Sequence, residues 1–80
     1  MGQRRYPPLT PREVLKILSA LGFTLKRQTG SHQHHERAAE GNRPRSIVTV
    51  DVSVKEFHVD LIKSMIRQSN FSRDEFYGAL

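Results

Sequence analysis

Apolar residues recur at two different periods along this chain, and each period predicts a different element. Val14, Ile17, Leu18 and Leu21 fall three and four apart, which places them on one stripe of a helix. Thr10 is a good N-cap and Pro11 suits the first helical position. Glu13, three residues after Thr10, completes a capping box. Leu9 and Val14 stand at staple spacing, Arg12, Glu13, Lys16 and Ser19 face water, and Gly22 supplies a left-handed stop. Phe23 to Arg27 then alternates, predicting a strand with Phe23 and Leu25 inward and Thr24 and Lys26 outward. Thr29-Gly30-Ser31 is turn chemistry. His32 to Arg37 contains no apolar residue and reads as a strand only through its surroundings, and a polar loop or hairpin tip runs from Ala38 to Arg45. Ser46 to Val52 is β-branched and alternating, with Val48, Val50 and Val52 on one face. Asp60 is the expected cap of a second helix through Leu61, Ile62, Met65 and Ile66, ending at Asn70. Ser72 and Glu75 form another capping box, with Phe71 and Phe76 at staple spacing, and predict a short third helix.

The order helix, strand, strand, strand, helix, helix predicts an α+β domain: a three-stranded antiparallel sheet with both main helices on one face and a short extra C-terminal helix. The other sheet face is left to solvent or a partner. Residues 1–8, with two arginines, a tyrosine and two prolines, read as a flexible N-terminal arm, and residues 9–80 as a single domain.

Eighty residues leave no room for separate binding and catalytic modules, so any site must sit directly on the one core. With 36% hydrophobic residues and no tryptophan, that core is thin. The lack of cysteine removes disulfides and thiolate metal sites from consideration and fits a reducing compartment. No apolar run approaches membrane-spanning length, and the residues after Met1 form no hydrophobic signal core, so a cytoplasmic protein without membrane attachment is expected. A formal net charge of +5 points to a polyanionic partner, nucleic acid or an acidic protein ahead of an anionic membrane.

Gly22 to Arg27, then Gly30-Ser31-His32, Val48-Thr49-Val50, Lys55-Glu56 and Ile62 to Gln68, in this order and with compatible spacing over roughly Thr10 to Phe76, resemble the HicA (YcfA-like) mRNA interferase family. The resemblance implies a double-stranded-RNA-binding-domain-like fold and a small bacterial toxin of a type II toxin-antitoxin pair. It also implies mRNA as substrate, a HicB-like antitoxin as partner, and nuclease activity that depends on the histidine of the Gly-Ser-His element. Family members usually carry a second histidine where this chain has Gln33 and an aromatic or apolar residue where it has His35. Many also have a lysine at the position of Thr29 and a proline at that of Asp51. These departures bear on catalysis more than on fold.

The residues themselves support the same position for chemistry. An imidazole with an ordinary pKa of roughly 6.5 exchanges protons near neutral pH, as attack of a ribose 2′-hydroxyl on the adjacent phosphate requires, so His32 is the candidate catalytic residue. Gly30 and Ser31 let backbone N–H groups and a hydroxyl approach a phosphate, and Lys26 and Arg27 supply positive charge; these four are the candidate RNA-binding residues. Arg43, Arg45, Lys63 and Arg67 extend the basic surface or, each taken singly, decorate a solvated face. In a strand His32, His34 and Glu36 would share a face, but no matching ligand set stands elsewhere and His58 is alone, so neither metal nor cofactor is expected. Two other readings stay open: a nucleic-acid-binding module of the same fold without catalysis, and a domain that only binds its antitoxin.

Overall fold

The computed structural model describes residues 5–80. Its elements are α1 (Pro11–Ala20), β1 (Thr24–Thr29), β2 (His32–Arg37), β3 (Ser46–Asp51), α2 (Val59–Ser69) and α3 (Arg73–Gly78). The strands form one antiparallel sheet in the order β1-β2-β3, so α+β architecture and element order agree with the sequence pattern. Both capping boxes form: Thr10 accepts from the Glu13 N–H and Ser72 from that of Glu75, with each glutamate reaching back. Asn70 ends α2 at φ 62°, and Gly22 follows α1 at φ 93°. The start of α2 differs from expectation. His58 occupies the N-cap with no side-chain bond and Asp60 is the second helical residue, in the first turn, where its charge meets the helix N-terminus without capping it.

The core is Val14, Ile17 and Leu18 of α1, Val48 and Val50 of β3, Ile62 and Met65 of α2 and Phe76 of α3, closed by Leu9, Phe23 and Phe57. Leu9 and Phe57 exchange backbone hydrogen bonds, which fastens the entry to α1 against the segment before α2. The helices pack on β3, with α2 making its main contacts there, and leave β1 overhanging. Leu25 shares the helix-side face of its partner His35 and of Val48, yet it is 52% exposed, because no helix reaches over its strand. Val52 lies just past β3 and is half-buried, so the buried valine row is Val48 and Val50.

The hairpin is tied to the helices by stacking as well as burial. Phe71 lies between two guanidinium groups, Arg43 at 3.9 Å and Arg37 at 5.2 Å from its ring centroid. Arg37 Nε also donates to the Leu21 carbonyl at 2.9 Å, joining β2 to the end of α1. Of the expected arm, residues 1–4 fall outside the described residues. Its remainder lies against the body: Tyr77 Oη donates to the Pro7 carbonyl, Arg73 to that of Arg5, and Tyr6 packs beneath Lys63 and Arg73.

Candidate functional site

Between β1 and β2 the chain reverses in two residues, Gly30 and Ser31, with Thr29 paired to His32. Gly30 has φ +59° while Ser31 does not share that sign, the pattern of a primed hairpin turn with glycine first. Gln28 braces the turn by donating to the Gly30 carbonyl, and the Val52 N–H donates to that of Ser31. This bend is what delivers His32 to the open end of the sheet.

Strand alternation then sorts the side chains. Val48 and Val50 face the helices, so their neighbours Ile47, Thr49 and Asp51 face the uncovered side, together with their partners Glu36, His34 and His32. His32 is 56% exposed in its side chain, and its Nε2 stands 3.7 Å from Asp51 Oδ2. That is an ion-pair distance for a protonated imidazole, longer than a hydrogen bond. The other Asp51 oxygen, Oδ1, accepts from the Ser53 hydroxyl at 2.7 Å and the Ser53 N–H at 3.0 Å. These Ser53 bonds, then the Ser31 side chain and, last, the charge of His32, hold the Asp51 carboxyl down to about 2, against the opposing effect of desolvation. Asp51 is thus a fixed negative charge facing His32 at any physiological pH.

A bulge at Lys26 changes what β1 offers. Leu25 pairs with His35 and Arg27 with His34, so Lys26 is the extra residue. Simple alternation would send Lys26 and Arg27 to opposite faces. The bulge brings both to the open one, where they border a shallow concavity of about 250 Å³ with His34, Arg45 and Ile47. Lys26 lies 3.3 Å from Glu36, which Arg45 also contacts; hydrogen bonding from Arg45, then from Lys26, lowers the Glu36 pKa against the opposing pull of desolvation. Arg27 makes no ion pair among the described residues. Its side chain is exposed.

The histidines next to His32 are otherwise engaged. His34 Nδ1 meets Thr49 Oγ1 at 3.1 Å, and His35 is buried opposite Val48, its Nε2 on Gln33 Oε1 at 2.9 Å. Burial, then the neighbouring His34, pushes the His35 pKa down. His32, His34 and Glu36 do share a face, but among the described residues no three of His, Asp and Glu converge as a metal ion would need.

Beside His32 a second groove of about 250 Å³ opens between β3 and α2, lined by Thr49 and Asp51 on one side and Leu61, Ser64, Met65 and Gln68 on the other. Reading the sequence alone missed Asp51 as the neighbour of His32 and missed this helix face altogether. The signal for Asp51 was its phase with Ile47 and Thr49; the signal for α2 was the spacing 61, 64, 65, 68, one face of a helix.

A three-stranded antiparallel sheet with helices on one face, and an open face that carries Lys26, Arg27 and Arg45 beside Glu36 and Asp51 with an exposed histidine at a hairpin turn, defines a small α+β domain. A family model described as "HicA toxin of bacterial toxin-antitoxin" matches residues 11–71. The chain belongs to the HicA toxin family of toxin-antitoxin systems, and family membership implies an antitoxin partner. A search of curated proteins finds no match. Among the described residues no helix is long and apolar enough to cross a membrane.

Proposed function

We propose that the chain is a HicA-type ribonuclease that binds mRNA across the open sheet face, cleaves it through His32 without a metal ion, and is held in check by a HicB-like antitoxin. The observation that carries this reading is the exposed His32 imidazole beside the Asp51 carboxylate, on the same face as Arg27. In the tautomer with its proton on Nε2, the nitrogen nearer Asp51, the His32 Nδ1 carries the free lone pair and takes the proton from a ribose 2′-hydroxyl as it attacks the adjacent phosphate. Asp51 stabilises the imidazolium that forms. Because the nucleophile belongs to the RNA, the reaction needs no activated water: the 2′-oxygen forms its bond to phosphorus as the P–O5′ bond breaks, the departing 5′-oxygen takes a proton from solvent, and the products are a 2′,3′-cyclic phosphate and a 5′-hydroxyl, with the His32 proton then lost to solvent.

Gly30 and Ser31 bring backbone N–H groups to the bend beside His32, and Lys26 and Arg27 hold the backbone of the strand. Arg27 pairs with His34, two cross-strand pairs from Thr29–His32, which makes His32 its diagonal neighbour on the same face at roughly 7–8 Å. In this reading residues 9–80 act as one domain in the cytoplasm, where mRNA is. Inducible expression tests the proposal. Growth stops and cellular mRNA falls with the natural chain, and neither happens with His32→Ala; arrest that persists in the alanine variant refutes a role for His32.

A further inference from the structure

The groove between β3 and α2 is the feature left unused by phosphate binding and proton transfer, although His32 and Asp51 form one of its walls. Its floor is apolar: Met65 and Phe57 are buried to 4% and 3% exposure, while Leu61 stands 55% exposed at the rim. Its polar groups stand on the two walls, His32, Thr49 and Asp51 facing Ser64 and Gln68. Gln68 Oε1 accepts from the Thr49 N–H at 3.1 Å, the free edge of β3, so the rest of that amide is fixed in direction. Its NH2 group has no partner among the described residues, and neither has the Ser64 hydroxyl one turn earlier. An apolar floor, a fixed donor pair and a hydroxyl are what an unpaired nucleobase needs: its face lies on hydrocarbon and its edge meets the donors.

We infer that this groove is the base-recognition subsite for the nucleotide next to the scissile phosphate, and that Gln68 is its specificity-determining residue. The inference rests on the nuclease reading above for what sits at His32, and extends it to which sequence is cut. Because the Gln68 oxygen is engaged with Thr49, the amide presents donors. It selects a base whose edge carries a carbonyl acceptor, guanine or uracil, over one carrying an amino group there, adenine or cytosine.

Gln68→Glu is the informative change, since the carboxylate keeps an oxygen for the Thr49 N–H and replaces the NH2 by an acceptor. Its added negative charge slows every substrate alike and cancels in a ratio. Products from a random-sequence RNA pool are sequenced at their new ends for the natural chain, Gln68→Glu and Ser64→Ala, with circular dichroism confirming the fold of each. The natural chain cuts beside guanine and uracil. Gln68→Glu shifts the ratio toward adenine and cytosine by about three- to tenfold, the range of one hydrogen bond, and Ser64→Ala flattens it. Cleavage that depends on His32 but shows one unchanged base distribution in all three proteins overturns the subsite and leaves the nuclease reading standing, whether or not antitoxin binding has weakened.

A binding arm does not depend on turnover. Fluorescence anisotropy with labelled single-stranded oligonucleotides of each base, on His32→Ala with and without Gln68→Glu, repeats the comparison. Preference for guanine and uracil that Gln68→Glu reverses supports the subsite even where no RNA is cut. Equal affinities unaffected by Gln68→Glu overturn it.

Discussion

Replacing Gly30 by alanine isolates the backbone geometry on which the position of His32 depends. A Cβ built at Gly30 meets no atom within 4 Å, so the substitution brings no steric clash and its cost is conformational. At φ +59° an L-residue pays about 1–2 kcal/mol relative to glycine. In a domain of this size each kcal/mol moves the melting temperature by about 4–8 °C, so Gly30→Ala should lower Tm by roughly 5–15 °C. Gly30→Asn should lose markedly less, because asparagine tolerates positive φ. Thermal unfolding followed by far-UV circular dichroism reads both. RNA cleavage measured well below Tm reads whether the turn still aims His32, and Gly30→Ala should be the slower enzyme even where it is fully folded. An alanine variant that melts with the natural chain, or that ranks with asparagine, would show that the turn does not hold a positive φ and that His32 is delivered some other way.

Three further outcomes follow from the geometry. Asp51→Asn keeps an acceptor for Ser53 but removes the charge 3.7 Å from His32 Nε2, and should slow cleavage roughly five- to tenfold with Tm little changed; an unaltered rate would detach Asp51 from the imidazole. Arg27→Ala should weaken RNA binding and reduce the slope of log K against log salt by about 0.7, one single-strand phosphate contact, while stability stays within about 0.5 kcal/mol; an unchanged slope places the RNA elsewhere. His35 is held neutral by burial, so its folded pKa lies below the ordinary 6.5 and the unfolded chain takes up the proton first. Stability should therefore fall as pH drops through 6.5 toward the folded value, and urea titrations should show His35→Leu losing less over that interval than the natural chain.

Much of this architecture can be read from local chemistry. Thr10-Pro11 with Glu13, and Ser72 with Glu75, mark helix starts because the caps are made by neighbours in sequence, and Asn70 and Gly22 mark ends for the same reason. His32 was legible as a residue type at a turn. Its partner was not: a long polar connection, 38–45, separates β2 from β3, so nothing local sets the register that places Asp51 opposite it. The Lys26 bulge was equally hidden, since an extra residue in a strand leaves no mark on a short alternating run. The inward face of Leu25 was legible but its exposure was not, because inward on a strand means buried only where a helix covers it, and coverage is a property of the whole fold. The face of α2 toward His32 was overlooked because Ser64 and Gln68 look like ordinary solvent positions until β3 lies beside them.

Purified protein incubated with mRNA in excess chelator, beside His32→Ala and a substrate carrying 2′-deoxyribose at the cut nucleotide, bears most directly on the central claim. The natural chain should cleave and leave 2′,3′-cyclic phosphate ends, while either the missing imidazole or the missing 2′-hydroxyl should abolish the product. Equal cleavage by His32→Ala, or cleavage that only added metal ion restores, would contradict it.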